Sequence, residues 1–120
     1  VGGLLDGDGE INLPIAADAA RRPLYKICHE QGKPSKTLYH CVATDRDRQQ
    51  SRLDLSPVTG RSHQLRLHLA SIGHAILGDE FYASPLLREA APRLCLHARL
   101  IRFQQPRTGQ WLEVSSAVPF

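Results

Sequence analysis

The sequence lacks the features of a membrane-spanning, secreted or disulfide-stapled protein. No apolar run approaches the roughly 18 residues that a transmembrane helix needs. The first twenty residues hold four carboxylates and no Lys or Arg, whereas a secretory signal starts with basic residues. Only three cysteines are present, Cys28, Cys41 and Cys95, and they form no C-x-x-C pair. We therefore expect a soluble, cytoplasmic chain with reduced thiols.

Repeats and low-complexity tracts are also missing. Hydrophobic residues make up 42% and charged residues 22% of the 120 residues. This composition excludes a disordered or collagen-like chain and predicts one globular domain spanning 1–120. Because the chain begins with Val1 and not Met, and glycines recur at positions 2, 3, 7 and 9, we expect a piece of a longer polypeptide.

Charge is unevenly distributed along the chain. The net charge is +3, but all fifteen Lys and Arg lie after residue 20, so residues 21–120 carry +7. A basic body of this kind suits a polyanion partner such as nucleic acid. An excess that serves only solubility fits the charge equally well.

Alternation of apolar and polar residues predicts strands over most of the chain. The predicted segments are 10–15, 25–28, 36–44, 51–58, 94–103 and 110–115. The polar turn at 45–50 predicts that segments 36–44 and 51–58 form a hairpin. Pro14 favours an edge position for the first segment.

Helical periodicity appears once, at about 62–73. Leu65, Leu69 and Ile72 recur at i, i+4 and i+7, and Gly73 follows where a left-handed C-terminal cap is expected. A second, short helix is predicted after Ser84-Pro85, which suit the N-cap and first helical positions. The predicted fold class is therefore α+β, with mostly antiparallel sheet and one central amphipathic helix.

Chemistry-bearing residues concentrate around the start of that helix. Residues 59–69 contain two arginines, two histidines and a glutamine, where free backbone N–H groups and the helix dipole favour anions. A solvated basic face and an anion site both fit this pattern. We expect no metal site, because His63 and His68 point about 140° apart on a helix and adjacent Cys-His pairs on strands diverge.

The residues around this helix resemble a known family. The strings G-R-S-H-Q-L-R-L-H at 60–68, I-G-H-A-I-L-G-D-E-F-Y-A at 72–83 and R-L-C-L-H-A at 93–98 closely resemble the C-terminal half of the RluA family of pseudouridine synthases. Segments 22–23 and 32–37 resemble the same family. The resemblance covers almost the whole chain and implies a ribosomal or transfer RNA substrate.

The resemblance implies a cofactor-independent isomerisation. In that family an aspartate attacks a flipped-out uridine, the glycosidic bond breaks, and the base rejoins through carbon. That aspartate lies in an H-R-L-D-x-x-T-S-G motif upstream of anything that aligns with Val1. We therefore expect the C-terminal portion of one catalytic domain, without its nucleophile and inactive alone. An exposed edge and apolar patch, and self-association through them, are also expected.

Five site residues follow from the resemblance. Arg66 matches the arginine that pairs with the catalytic aspartate. Arg61, His63 and Gln64 match RNA-binding positions beside the cleft, where backbone contact suits Arg61 and helix packing suits the other two. Leu96 matches an apolar residue that lies against the target base, a role compatible with that of an ordinary core leucine.

Arg52-Leu53-Asp54 reproduces three letters of the nucleophile motif. Because Ser51 stands where the motif has His, and T-S-G is absent at the required offset, we interpret Asp54 as a strand carboxylate on the more polar face. The sequence suggests two alternatives to this enzyme. A non-catalytic RNA-binding module stays open, whereas an acyl hydrolase using Ser62 and His63 is disfavoured because no G-x-S-x-G elbow exists.

Overall fold

The computed structural model describes residues 1–120 as seven strands and two helices. The elements are β1 (Asp8–Asn12), β2 (Ile15–Ala17), β3 (Tyr25–Ile27), β4 (Lys36–Asp45), β5 (Gln50–Pro57), α1 (Gln64–Ser71), α2 (Pro85–Glu89), β6 (Leu100–Gln104) and β7 (Trp111–Ser115). A single 3₁₀ turn, Ala19–Arg21, connects β2 to β3. All strand pairs are antiparallel, which confirms the predicted α+β class.

Three sheets form. The main sheet has the order β1-β4-β5, and two-stranded sheets pair β2 with β3 and β6 with β7. The predicted hairpin at 36–58 is confirmed as β4–β5, with a bulge between Cys41 and Ala43. The longest strands therefore arise where sequence alternation is longest.

The single strand predicted at 10–15 is wrong, because the chain forms two strands there. β1 ends at Asn12 and pairs with β4, whereas β2 begins at Ile15 and pairs with β3. Pro14 lies between them and has no backbone N–H to continue a ladder. The chain therefore passes from one sheet to the next at Pro14, which cannot donate a backbone hydrogen bond.

The strand predicted at 94–103 begins only at Leu100. Residues 94–99 belong to no strand. Their backbone makes two hydrogen bonds with other segments, from the Cys95 N–H to the Leu77 carbonyl at 2.9 Å and from the Ser116 N–H to the Arg99 carbonyl at 2.8 Å. Leu94 and Leu96 pack against the core instead. Apolar residues in this segment therefore dock through side chains and not through strand pairing.

Helix α1 is shorter than the predicted 62–73, because His63 at its N-cap has a left-handed φ of 54°. Its end agrees with the prediction: Gly73 has φ 84°, and the next N–H, of His74, donates to the Leu69 carbonyl at 2.9 Å. The N-cap of α2 is confirmed, since Ser84 Oγ accepts from the Leu87 N–H. Neither helix has the length and apolar character needed to cross a bilayer.

The core lies between α1 and one face of the main sheet. Leu69 of α1 packs with Ile11 of β1 and Ile76 of the following loop. Partly buried apolar residues surround them, among them Tyr39, Leu53, Leu55 and Leu96. This packing holds α1 at a defined position, so the side chains on its other faces are presented in a defined geometry.

Candidate functional site

Arg66 and Asp79 form a two-point ion pair beside α1. Arg66 Nε donates to Asp79 Oδ2 at 3.2 Å, and Nη2 donates to Oδ1 at 2.5 Å. The Asp79 side chain is fully buried, and the Arg66 side chain is 17% exposed. The guanidinium fork is therefore fixed in one orientation while part of the Arg66 side chain still reaches solvent.

The loop before α2 holds the Asp79 carboxylate in place. Asp79 Oδ1 also accepts from the backbone N–H groups of Phe81 at 2.9 Å and Tyr82 at 3.3 Å. The preceding Gly78 has φ 76°, and a Cβ there would collide with the Arg93 carbonyl, so glycine is needed at this turn. Burial by itself raises the pKa of Asp79, but these hydrogen bonds and Arg66 together hold it below its ordinary value.

Two aromatic rings cover the guanidinium group. The Arg66 guanidinium carbon lies 4.8 Å from the centre of the Phe81 ring and 5.6 Å from that of Tyr82. Cation–π contact of this kind stabilises a desolvated arginine and limits its side-chain freedom. Arg66 is thus held by a carboxylate at one edge and by rings around its plane.

His63 links this cluster to β3. Its Nδ1 lies 2.7 Å from Tyr82 Oη, which in turn accepts the Tyr25 N–H at 3.0 Å. Burial and the nearby Arg66 lower the pKa of His63, which favours the neutral ring, and Nδ1 shares one hydrogen bond with the Tyr82 hydroxyl. The left-handed backbone of His63 aims its ring into this aromatic group.

Gln64 anchors the start of α1 in the protein interior. Its Oε1 accepts from Thr59 Oγ1 at 2.6 Å and from the Arg61 N–H at 3.1 Å. Its Nε2 donates to the Lys36 carbonyl at 2.9 Å and to Thr37 Oγ1 at 3.0 Å. The side chain is 3% exposed and uses all four hydrogen-bonding positions, so its contacts fit the helix-packing role and leave none for RNA.

His68 extends the same buried network. Burial is the main cause that lowers the pKa of His68, although its hydrogen bond to Leu13 opposes the shift. The neutral ring donates from Nε2 to the Leu13 carbonyl at 2.8 Å and accepts at Nδ1 from Thr37 Oγ1 at 2.8 Å. A continuous chain of polar contacts therefore ties α1 to β4 and to the link between β1 and β2.

Arg61 and Leu96 occupy different surroundings from Arg66. Arg61 is exposed, and its Nε and Nη2 donate to the Pro34 carbonyl at 3.3 and 3.2 Å. Leu96 is partly buried against the core beneath α1. The structure thus brings His63 and Arg66 together, with Arg61 on the loop before α1 and Leu96 in the adjoining core.

Asp54 lies on the opposite face of the main sheet from α1. Its neighbours in β5, Leu53 and Leu55, pack toward the core, whereas Asp54 is exposed and pairs with Arg99 at 3.4 Å. Across the strands it faces His40. The interpretation of Asp54 as a strand carboxylate on the polar face is confirmed, and the sheet separates it from Arg66.

Two members of the site have no role that the sequence pattern predicts. Asp79 and Tyr82 lie within the string I-G-H-A-I-L-G-D-E-F-Y-A, but only the pairing with Arg66, thirteen residues earlier, gives Asp79 a role. A carboxylate between a glycine and two aromatics was the available signal. No group of three or more His, Cys, Asp or Glu side chains converges in a way that could hold a metal ion.

Comparison with known proteins gives consistent matches. A family model described as RNA pseudouridylate synthase matches residues 4–71. The chain is 49% identical over 119 residues to the dual-specificity RNA pseudouridine synthase RluA of Pasteurella multocida (strain Pm70), covering 99% of this chain and 54% of that protein. It is 44% identical over 113 residues to the protein of the same name from Escherichia coli (strain K12), covering 94% and 51%.

A solved structure shares the fold. The chain superposes on human RNA Pseudouridylate Synthase Domain Containing 1 with a TM-score of 0.79 and 28% identity. That match covers 99% of this chain and 51% of the human one. The chain therefore spans about half the length of the curated relatives and the solved structure it matches.

Proposed function

The chain belongs to the RNA pseudouridylate synthase family, and from that premise we propose that it supplies the arginine side of an active site that converts uridine in RNA to pseudouridine. The nucleophilic aspartate comes from a segment outside this sequence, as the resemblance to the RluA family implies. The observation that carries the proposal is the immobilised guanidinium group of Arg66, on a side chain that is 17% exposed.

Arg66 has hydrogen-bonding capacity left for a second carboxylate. A guanidinium group has five N–H donors, and Asp79 accepts two of them. The other three donors have no partner within the chain, and the Arg66 side chain is 17% exposed. A nucleophilic aspartate at these donors would be held ionised and oriented by a charge-assisted hydrogen bond.

Asp79 determines whether Arg66 acts on the nucleophile mainly through charge or mainly through positioning. Because Asp79 already neutralises the guanidinium charge, the net attraction for a second carboxylate is weaker than that of an unpaired arginine. Its main contribution is therefore geometric, since the fork cannot rotate while Asp79, Phe81 and Tyr82 hold it.

The substrate is RNA, and we extend the proposal to ribosomal or transfer RNA in the cytoplasm. The names of the bacterial relatives include dual specificity for RNA, and residues 21–120 carry +7. Arg61 contacts the RNA backbone, His63 positions the site through Tyr82, and Leu96 contributes apolar surface toward the target base. No cofactor or metal takes part in the proposed reaction.

The test is tritium release from labelled uridine in unmodified transfer and ribosomal RNA. The 120-residue chain alone is expected to show no turnover, and a fusion to the unmatched half of the Pasteurella multocida relative is expected to be active. In the fusion, Arg66→Ala should cut turnover severely with RNA affinity within a few fold, and Arg66→Lys should recover only part of the rate.

Several outcomes would contradict the proposal. Equal turnover by the fusion and its Arg66→Ala variant would remove the role of Arg66. Turnover by the isolated chain that Asp54→Asn abolishes would place the nucleophile inside this sequence. Tight RNA binding without turnover by a folded fusion would favour the non-catalytic RNA-binding module.

A further inference from the structure

A cavity of about 460 Å³ lies between the β2–β3 sheet and the loop that leads into α1. Its volume is within the range of about 300–1,000 Å³ that is common for ligand pockets. Ile15, Ala16, Ala17 and Tyr25 supply its apolar wall, and Lys33 and Arg61 are its basic residues. No acidic residue lines it, so the cavity favours an anion that also carries an apolar surface.

The two basic residues are anchored by their backbone or side-chain contacts. Lys33 exchanges two backbone hydrogen bonds with Ile15, at 2.8 and 3.0 Å. The Arg61 side chain is tethered to the Pro34 carbonyl through Nε and Nη2, which leaves donors on the guanidinium group for a ligand. Little ordering is then needed when a phosphate binds at Arg61.

The apolar wall suits a flat ring. Tyr25 lies opposite Ala17 in the β2–β3 pair, and the small Ala17 side chain leaves space for a base to lie against the Tyr25 ring. Base–aromatic stacking is the usual contact of unpaired nucleotides in RNA-binding proteins. A nucleotide matches this cavity, because its phosphate group suits the two basic residues and its base suits the aromatic wall.

Tyr25 also connects the cavity to Arg66. Its ring packs edge to face on His63 with 5.2 Å between the centres, and its N–H donates to Tyr82 Oη. Tyr82 in turn lies over the Arg66 guanidinium group. A single strand with its target uridine at Arg66 would therefore place a flanking nucleotide near Tyr25.

We propose that this cavity binds one unpaired nucleotide flanking the target uridine, with its phosphate on Arg61 and Lys33 and its base stacked on Tyr25. The inference rests on the proposed RNA function and adds a subsite to it. We choose RNA as the ligand because the aromatic wall and the two basic side chains of the cavity adjoin the site at Arg66.

The test is binding of a fluorescent stem-loop RNA to the 120-residue chain by anisotropy over a series of salt concentrations. Lys33→Ala and Arg61→Ala should each weaken binding and reduce the slope of log affinity against log salt by about one unit. Tyr25→Leu should weaken binding about tenfold with an unchanged slope, because stacking releases no counterions. Tyr25→Phe should bind as the wild type does.

Arg48→Ala is the matched control, since Arg48 is an exposed arginine in the turn at the far end of the β4–β5 hairpin. That turn lies about 30 Å along β4 from Lys36, given about 3.3 Å per strand residue. Equal losses for Arg48→Ala and Arg61→Ala, or unchanged affinity for Tyr25→Leu, would overturn the subsite and leave the turnover test of the proposed function standing. Failure of the folded wild-type chain to bind RNA would also overturn it.

Discussion

The β4–β5 and β6–β7 hairpins have similar local patterns and opposite surroundings. Both are antiparallel pairs joined by polar turns. One face of β4–β5 packs against α1 and the core through Tyr39, Leu53 and Leu55. Every residue of β6 and β7 is exposed, and neither strand packs against another named element to a comparable extent.

The β6–β7 hairpin nevertheless has an apolar face. The register opposes Ile101 to Val114 and Phe103 to Leu112, so these four side chains share one side, and all four are exposed. A two-stranded hairpin without a packed face is marginally stable in water. The comparison shows that strand pairing follows from local alternation, whereas stability requires a third element to cover the apolar face.

The largest contrast should come from matched leucine truncations. Leu69→Ala removes a fully buried side chain at the centre of the core and should lower the free energy of unfolding by about 4 kcal/mol. Leu100→Ala in β6, where the residue is 46% exposed and outside the core cluster, should change it by less than about 0.5 kcal/mol. Urea denaturation measures both values, and similar losses would contradict the comparison.

The ion pairs of the two regions give a second contrast. Asp79→Asn leaves Arg66 without its charged partner in a mostly buried site and should lower the free energy of unfolding by about 3 kcal/mol. Glu113→Gln breaks the exposed cross-strand pair with Arg102 in the β6–β7 hairpin and should cost less than about 0.5 kcal/mol. Thermal unfolding of the two variants under identical buffer conditions provides the check.

Acid should destabilise α1 and β4 before it destabilises the β6–β7 hairpin. Because burial lowers the folded-state pKa of His63 and His68, the unfolded chain binds more protons below about pH 6.5, and stability falls from there downward. The lowered pKa of Asp79 adds a second loss below about pH 3.8. Amide exchange at pH 7.5 and pH 5 should show protection falling in α1 and β4 but not in β6 and β7.

His68→Gln should lower the free energy of unfolding by about 1 kcal/mol at pH 7, because one hydrogen bond is lost. The same change should make the free energy of unfolding fall less between pH 7 and pH 5. His40→Gln is the opposite-sign control. The hydrogen bond to Asp8 raises the folded-state pKa of His40, so this residue stabilises the fold at low pH, and its removal should steepen the acid loss. Identical pH profiles for all three proteins would refute the assignment.

The smallest effect on stability should come from the apolar face of β6–β7. Ile101→Thr combined with Val114→Thr keeps β-branched side chains, so the free energy of unfolding should change little. Self-association of the chain should fall, because this face is the apolar surface through which copies would meet. Sedimentation measures the association, and Leu100→Thr, on the opposite face of the hairpin, is the control.

Local signals were sufficient for several elements. The long alternation at 36–58, the Ser84-Pro85 start of α2 and the Gly73 end of α1 all predicted what the structure contains. Each depends on residues within one turn of helix or on directly opposed strands, where backbone geometry and side-chain pattern act together. The family resemblance likewise depended on strings of neighbouring residues.

Tertiary contacts decided the rest. Arg66 selects Asp79 thirteen residues away because a glycine turn and a packed helix bring their side chains together, a distance that no periodicity encodes. The chain switches sheets at Pro14, where β1 has paired with β4 and β2 goes on to pair with β3. Within this chain no other named element covers β6–β7. Partner choice between distant segments depends on burial and hydrogen bonding in three dimensions, which a one-dimensional pattern does not contain.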